Sequence, residues 1–283
     1  MRWQNRRQSR NVQNRGRGRR TGGAIGGGLL LGLVVLLLTG NPLAALQIGL
    51  GGVQQGGDVV EESVSMSRRQ EELYAYASVV LADTEDCWNH LLPQYGLQYR
   101  EPTLNIFQDT VKTGCGIASS GVGPFYCPAD ESVYLDLSFY KEMQRKYDAG
   151  KGDFIMSYII SHEVGHHVQN LFGISEQVHA QRGKISDVAY NDLSVRMELQ
   201  ADYLAGVVAR YQEQRGYLES GDIEEAIRAA WAIGDDKLQQ QAQGTVTPES
   251  FTHGTSEQRM RWYQKGYEAG DLSEWDTFSA EDL

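Results

Sequence analysis

The sequence predicts an α+β fold, mainly helical with a small antiparallel sheet and preceded by one transmembrane helix. Three observations lead there. Residues 154–171 and about 193–215 carry apolar side chains at helical spacing, 104–111 and 133–139 gather β-formers, and an uncharged apolar stretch precedes both. The expected divisions are a basic cytoplasmic arm (1–20), a membrane anchor (21–50), a flexible linker (51–66), one folded domain (67–270) and an acidic tail (271–283).

The 283 residues are sharply divided in charge. Residues 1–20 hold eight arginines and no acid, 21–57 hold no charge, and the remainder holds 18 basic and 37 acidic residues. The run from Ala24 through Leu50 supplies the roughly 20 apolar residues that a bilayer crossing needs, Pro42 notwithstanding. Arginines beside such a run favour the cytoplasmic side, which predicts a single-pass protein with its folded domain outside the cytoplasm. A cleaved signal is the competing reading, disfavoured by the long arginine-rich lead. Nucleic-acid binding is not expected, because topology accounts for the basic cluster more simply.

Further along, Gly49 to Gly57 has the composition of a tether. Ser67 with Gln70 forms a capping-box pattern that opens a helix running toward Pro93. Strands follow at Leu104–Val111 and Val133–Phe139, flanking glycine-rich 113–124. Ile223, Ala226, Ile227, Ala230 and Trp231 mark a late amphipathic helix, Gln239–Gly244 a polar loop, and Thr255 with Gln258 the cap of a helix through about Ala269.

The stretch GDFIMSYIISHEVGHHVQNLFG, 152–173, carries the chemistry. Asp153 is placed to cap a helix over 154–171, and Gly173 to end it. Four residues advance a helix by slightly more than one turn, so His162 and His166 share a face and can reach one cation. Glu163, about 100° round the helix, flanks that cation, where a general base for activated water belongs. Gly165 costs about 1 kcal/mol in a helix and so implies close approach by another backbone. His167 points elsewhere and is read as an ordinary packed histidine. Met197, Ala201, Leu204, Val208 and Tyr211 form the stripe of the second helix, with Glu198 and Asp202 beside it. A catalytic zinc takes three protein ligands, so Glu198 is the candidate third ligand, and Asp202 the acceptor of a histidine's other ring N–H.

With these residues in view, the chain resembles the bacterial family of membrane-anchored neutral zinc metallopeptidases over most of residues 60–270. The matching segments are CGIASSGVGPFYCPADESVYLDLSFY (115–140), SHEVGHHVQN (161–170), RMELQADYLAG (196–206) and HGTSEQR (253–259). More distantly, HExxH followed by ExxxD is similar to the gluzincins and the prenyl protease class. That resemblance implies Zn2+ held by His162, His166 and Glu198, Glu163 as base, Asp202 supporting a histidine, His253 stabilising an oxyanion and Arg259 orienting the acidic network. A capping-region histidine and a surface arginine are the plain alternatives for the last two. Cys115 and Cys127, both inside the resembling segment, are expected to form a disulfide, leaving Cys87 a buried thiol. Segment 113–124 is either a substrate-binding edge strand or an ordinary hairpin loop. The implied activity is hydrolysis of peptide bonds in proteins or peptides. The alternative is an inactive zinc-stabilised binding or assembly module at the membrane.

Overall fold

The computed structural model describes residues 1–20, 59–62, 65–146 and 153–283; the apolar run expected to cross a membrane lies outside them. Among the described residues, no helix is long and apolar enough to cross a membrane.

A five-stranded sheet forms one wall of the fold, in the order β2 (Val59–Glu62), β1 (Val12–Arg20), β3 (Thr103–Gln108), β7 (Ser132–Asp136), β6 (Phe125–Cys127). The sheet is mixed, which corrects the antiparallel expectation: β1, β3 and β7 run parallel, and only the edge strands β2 and β6 pair antiparallel. Parallel neighbours need a long crossover. Helix α1 (Arg68–Leu91), opened by the expected Ser67–Gln70 capping box, lies in the crossover between β1 and β3. Side chains alternate across the sheet. Leu104, Ile106, Val133 and Leu135 join the main core, whereas Phe107 and Tyr134 face a smaller cluster beneath the separate hairpin β4 (Thr110–Thr113) and β5 (Gly116–Ser119). The glycine-rich segment thus divides between that hairpin and the approach to edge strand β6. The expected second strand ends early, because helix α2 (Ser138–Lys146) begins at Ser138.

The first twenty residues are not a separate arm. Val12 to Arg17 pair with Leu104 to Gln108 in the middle of the sheet. Their arginines neutralise acids of the domain: Arg6 meets Asp83, Arg7 meets Glu85 and Asp86, and Arg15 meets Glu61. Val59–Glu62, expected in the linker, is likewise a strand. Part of the positive charge that suggested a topology signal is met by these pairs.

The helical layer comprises α3 (Phe154–Leu171), α4 (Ile174–His179), α5 (Asp187–Gln214), α6 (Asp222–Ala232), α7 (Asp235–Gln243) and α8 (Ser256–Ala269). Helix α3 has the expected bounds and is buried almost all round, as its two apolar stripes require. Its cap differs: Asp153 makes no capping bond, and Glu225 of α6 accepts from the Phe154 N–H at 3.0 Å. The expected loop at 239–244 is largely α7, whose polar helix formers give no apolar stripe to detect. Residues 271–283, expected as an acidic tail, pack on α5, where Arg196 donates to the carbonyls of Thr277 and Ala280.

Helices α5 and α8 cross through two glycines: a Cβ on Gly206 would collide with the Tyr263 carbonyl, and one on Gly266 with that of Tyr203. At Gly165 the fit is looser, with the Ala201 carbonyl 3.1 Å from such a Cβ. Gly206→Ala is expected to destabilise the protein by about 1–3 kcal/mol or more through overpacking. Gly165→Ala, partly offset by helix propensity, should change stability by no more than about 1 kcal/mol. Denaturant unfolding checks this, and equal losses at both positions would contradict the crossing geometry.

Candidate metal centre

Helix α3 presents His162 and His166 one turn apart, their ring centroids 4.8 Å from each other. The bare Gly165 lets α5 approach closely enough to bring Glu198 onto both rings. His162 Nε2 lies 3.2 Å from Glu198 Oε2, and His166 Nε2 lies 3.4 Å from Oε1. One donor atom from each of the three falls within 4.8 Å of the others, the single such group of three among the described residues. Two imidazole nitrogens and one carboxylate are the donor set of an open zinc site, which leaves a position for water or substrate.

The donors fit a metal because their other ring nitrogens are already engaged. Asp202 Oδ1 meets His162 Nδ1 at 2.8 Å, as the spacing predicts, and Gln169 Oε1 meets His166 Nδ1 at 2.8 Å. In each ring Nε2 is thereby turned toward Glu198, and once deprotonated it would offer its lone pair to a metal there. Asp202, fully buried, also accepts from the Tyr158 hydroxyl at 2.6 Å and from Arg259 through Nε at 2.8 Å and Nη2 at 3.0 Å. Arg259 is only 3% exposed, so it is no surface arginine.

Charge follows this arrangement. Burial alone would raise Asp202, but Arg259 and His162 outweigh it and hold the carboxyl at about 2. Burial likewise opposes ionisation of Glu198, yet His166 and His253 keep it well below the usual carboxylate range. Desolvation pulls His162 down, and Asp202 and Glu198 overcome it, lifting the ring to about 10 while no metal is present. Glu163 is shifted the other way, because burial pushes its carboxyl up more than the two histidines draw it down.

His253 lies outside the ligand group but within its field, its ring raised through Glu198 and Asp235 against the pull of burial. Its Nδ1 is 3.3 Å from Asp235 Oδ1, and Asp235 Oδ2 accepts from the main-chain N–H groups of Thr252 and His253 at 2.7 Å each. His167 bonds Tyr126 and the Arg100 carbonyl, away from the ligands. Cys115 and Cys127 are joined, with Cα atoms 5.8 Å apart, and Cys87 is a buried thiol. Sequence reasoning missed Tyr158, Gln169, Gln200 and Asp235. Tyr158 stands four residues before His162 and Gln169 three after His166, so helical spacing carried a signal for both. For Asp235 no local pattern existed.

A family profile described as "Putative neutral zinc metallopeptidase" matches residues 1–278. The "Uncharacterized protein YpfJ" of Escherichia coli K12 is 46% identical over 290 residues, covering 98% of this chain and 99% of that protein. The "Uncharacterized protein Rv2575" of Mycobacterium tuberculosis H37Rv is 45% identical over 206 residues, 69% of this chain and 67% of its own length. No solved structure matches the chain.

Zinc ligation needs a neutral His162, whereas the metal-free ring holds its proton up to about pH 10. Its raised pKa stabilises the metal-free fold fully below the ring's ordinary value and ceases to do so as pH rises through about 10. Zinc binding near pH 7.5 should therefore release at least one proton, and affinity should rise about tenfold per pH unit for each proton displaced. Calorimetry in buffers of different ionisation enthalpy measures that number. Binding without proton release would refute this account of the site.

Proposed function

Because the chain belongs to the neutral zinc metallopeptidase family, we propose that it hydrolyses peptide bonds of proteins or peptides at the centre formed by His162, His166 and Glu198. The supporting observation is the position of Glu163: next to a ligand on the same helix, 9% exposed, with its carboxyl raised toward the working range of a general base. A structural zinc site has no use for such a group. Zinc bound there supplies Lewis-acid polarisation and makes water acidic enough to react near neutral pH. The Glu163 carboxylate takes the proton of the attacking water and returns it to the leaving amine. Asp202, clamped by Arg259 and Tyr158, keeps the His162 proton on Nδ1. His253, held by Asp235, would donate to the oxyanion that develops on the attacked carbonyl.

Glu163→Gln is expected to lower cleavage of an unfolded protein mixture by about 10²–10⁴-fold while zinc content stays at the parent level. Cleavage retained by the variant would remove Glu163 from the reaction. If the parent binds zinc but cuts nothing, the zinc-stabilised binding module becomes the better description. The assay needs the whole chain in detergent, because a fragment starting at residue 58 lacks the β1 strand that lies between β2 and β3.

For location we infer a membrane-associated protein acting outside the cytoplasm, held by the apolar run 24–50. The Cys115–Cys127 bond suits an oxidising compartment. The pairing of Arg20 with Val59 supports a reading in which residues 1–20 share a side of the membrane with the domain. That reading differs from the expected single crossing with the arm in the cytoplasm. Cysteines introduced at exposed Arg10 and Lys184 should both react with a membrane-impermeant thiol reagent in intact cells. Labelling at one position only would restore a single crossing.

A further inference from the structure

The two histidines of the centre are oriented by chemically different partners. His162 leans on the carboxylate of Asp202, and His166 on the side-chain amide of Gln169, which is 0% exposed. An ionised carboxylate accepts at either oxygen. An amide has one accepting end and one donating end, so it fixes a ring tautomer only if it is prevented from turning over. Two acceptors prevent that here. Gln169 Nε2 donates to the Met197 carbonyl at 2.6 Å and to Gln200 Oε1 at 3.0 Å.

Gln200, also buried, has its own polarity set by its other end, where Nε2 donates to the main-chain carbonyl of Trp275 at 3.1 Å. The bonds therefore run in one direction, from His166 Nδ1–H to Gln169, from Gln169 to Gln200, and from Gln200 to a carbonyl that can only accept. The segment carrying that carbonyl is tied down independently. Arg196, one turn before Gln200 on α5, donates to the carbonyls of Thr277, Phe278 and Ala280, and Thr277 Oγ1 donates back to the Arg196 carbonyl at 2.6 Å. The Trp275 ring packs 4.7 Å from that of Phe172, at the end of the metal helix.

We propose that Gln169 and Gln200 are positioning residues of the metal centre. They hold His166 with its proton on Nδ1 and its Nε2 lone pair free for the metal, and the Trp275 carbonyl sets the polarity of the relay. Residues 271–280 are thereby a support of the site. The choice of amides also has an electrostatic reason. Glu163, Glu198 and Asp202 already crowd the centre with carboxylates, and a neutral partner orients His166 without adding a fourth. The proposal rests on zinc binding at His162, His166 and Glu198, and not on the reaction performed there.

The test is zinc affinity of the full chain, measured by competition with a chromophoric chelator, for the parent, Gln169→Leu, Gln200→Leu and the double variant. Thermal melting of each metal-free protein separately reports any plain loss of stability. Gln169→Leu should weaken zinc about 10–100-fold, the range seen when the partner of a ligating histidine is removed. Gln200→Leu should weaken it less, and the double variant should bind no worse than Gln169→Leu, because Gln200 acts only through Gln169. Nitrogen-15 shifts of the His166 ring in the zinc-bound parent should show the proton on Nδ1. Gln169→Leu binding zinc within about twofold of the parent would overturn the relay, as would a ring protonated on Nε2. A double variant weakened by both factors in full would remove Gln200 from it. Failure of the parent itself to bind zinc would overturn the metal centre and the relay together.

Discussion

The buried carboxylate of Asp202 is the point on which three helices converge. It takes hydrogen bonds from Tyr158 and His162 of α3 and from Arg259 of α8, while itself belonging to α5. A charge with no exposure is tolerable only when it is paired and fully bonded, and leaving one partner of such a pair alone costs about 3–5 kcal/mol. The helices can therefore pack in one arrangement that satisfies Asp202, and that arrangement brings Glu198, one turn earlier on α5, onto the two histidines. The geometry of the centre and the packing of the helical layer are one constraint. The glycines favour the same result sterically: Gly206 of α5 admits α8 in close contact, and Gly165 of α3 eases the looser approach of α5.

Much of this site was legible in the sequence because helices convert spacing into proximity. His162 and His166 four apart, and Glu198 and Asp202 four apart, each fix a shared face without reference to the rest of the chain. The capping boxes at Ser67 and Thr255 were equally local, and both are present. What the sequence did not disclose was long-range. Glu225 caps α3 from 71 residues away, and Asp235 reaches across a turn of chain to His253. Neither position differs in type from the many solvated acids around it. Helix α7 escaped notice for a different reason, since a polar helix has no apolar period.

The amino-terminal segment shows what composition leaves out. Eight arginines ahead of an apolar run have the pattern of a topology signal, and that pattern contains no information about partners. In the folded chain Arg6, Arg7 and Arg15 face Asp83, Glu85, Asp86 and Glu61. Part of the contrast between a basic start and an acidic body is then complementarity within one fold.

The parallel pairing of Val12–Arg17 with Leu104–Gln108 has a consequence for how the protein is made. Strand β1 cannot find its central partner until some ninety residues more have been synthesised. Closing so distant a contact is slow, because the entropy of the intervening loop is lost before the sheet repays it. Glu61, Asp83, Glu85 and Asp86, the acids that Arg15, Arg6 and Arg7 meet, are all made before that partner, so these pairs can hold the segment near the domain while the sheet is still open. Ion pairing of the segment would then precede closure of the sheet, and assembly of the metal centre, whose residues come later still, would follow both.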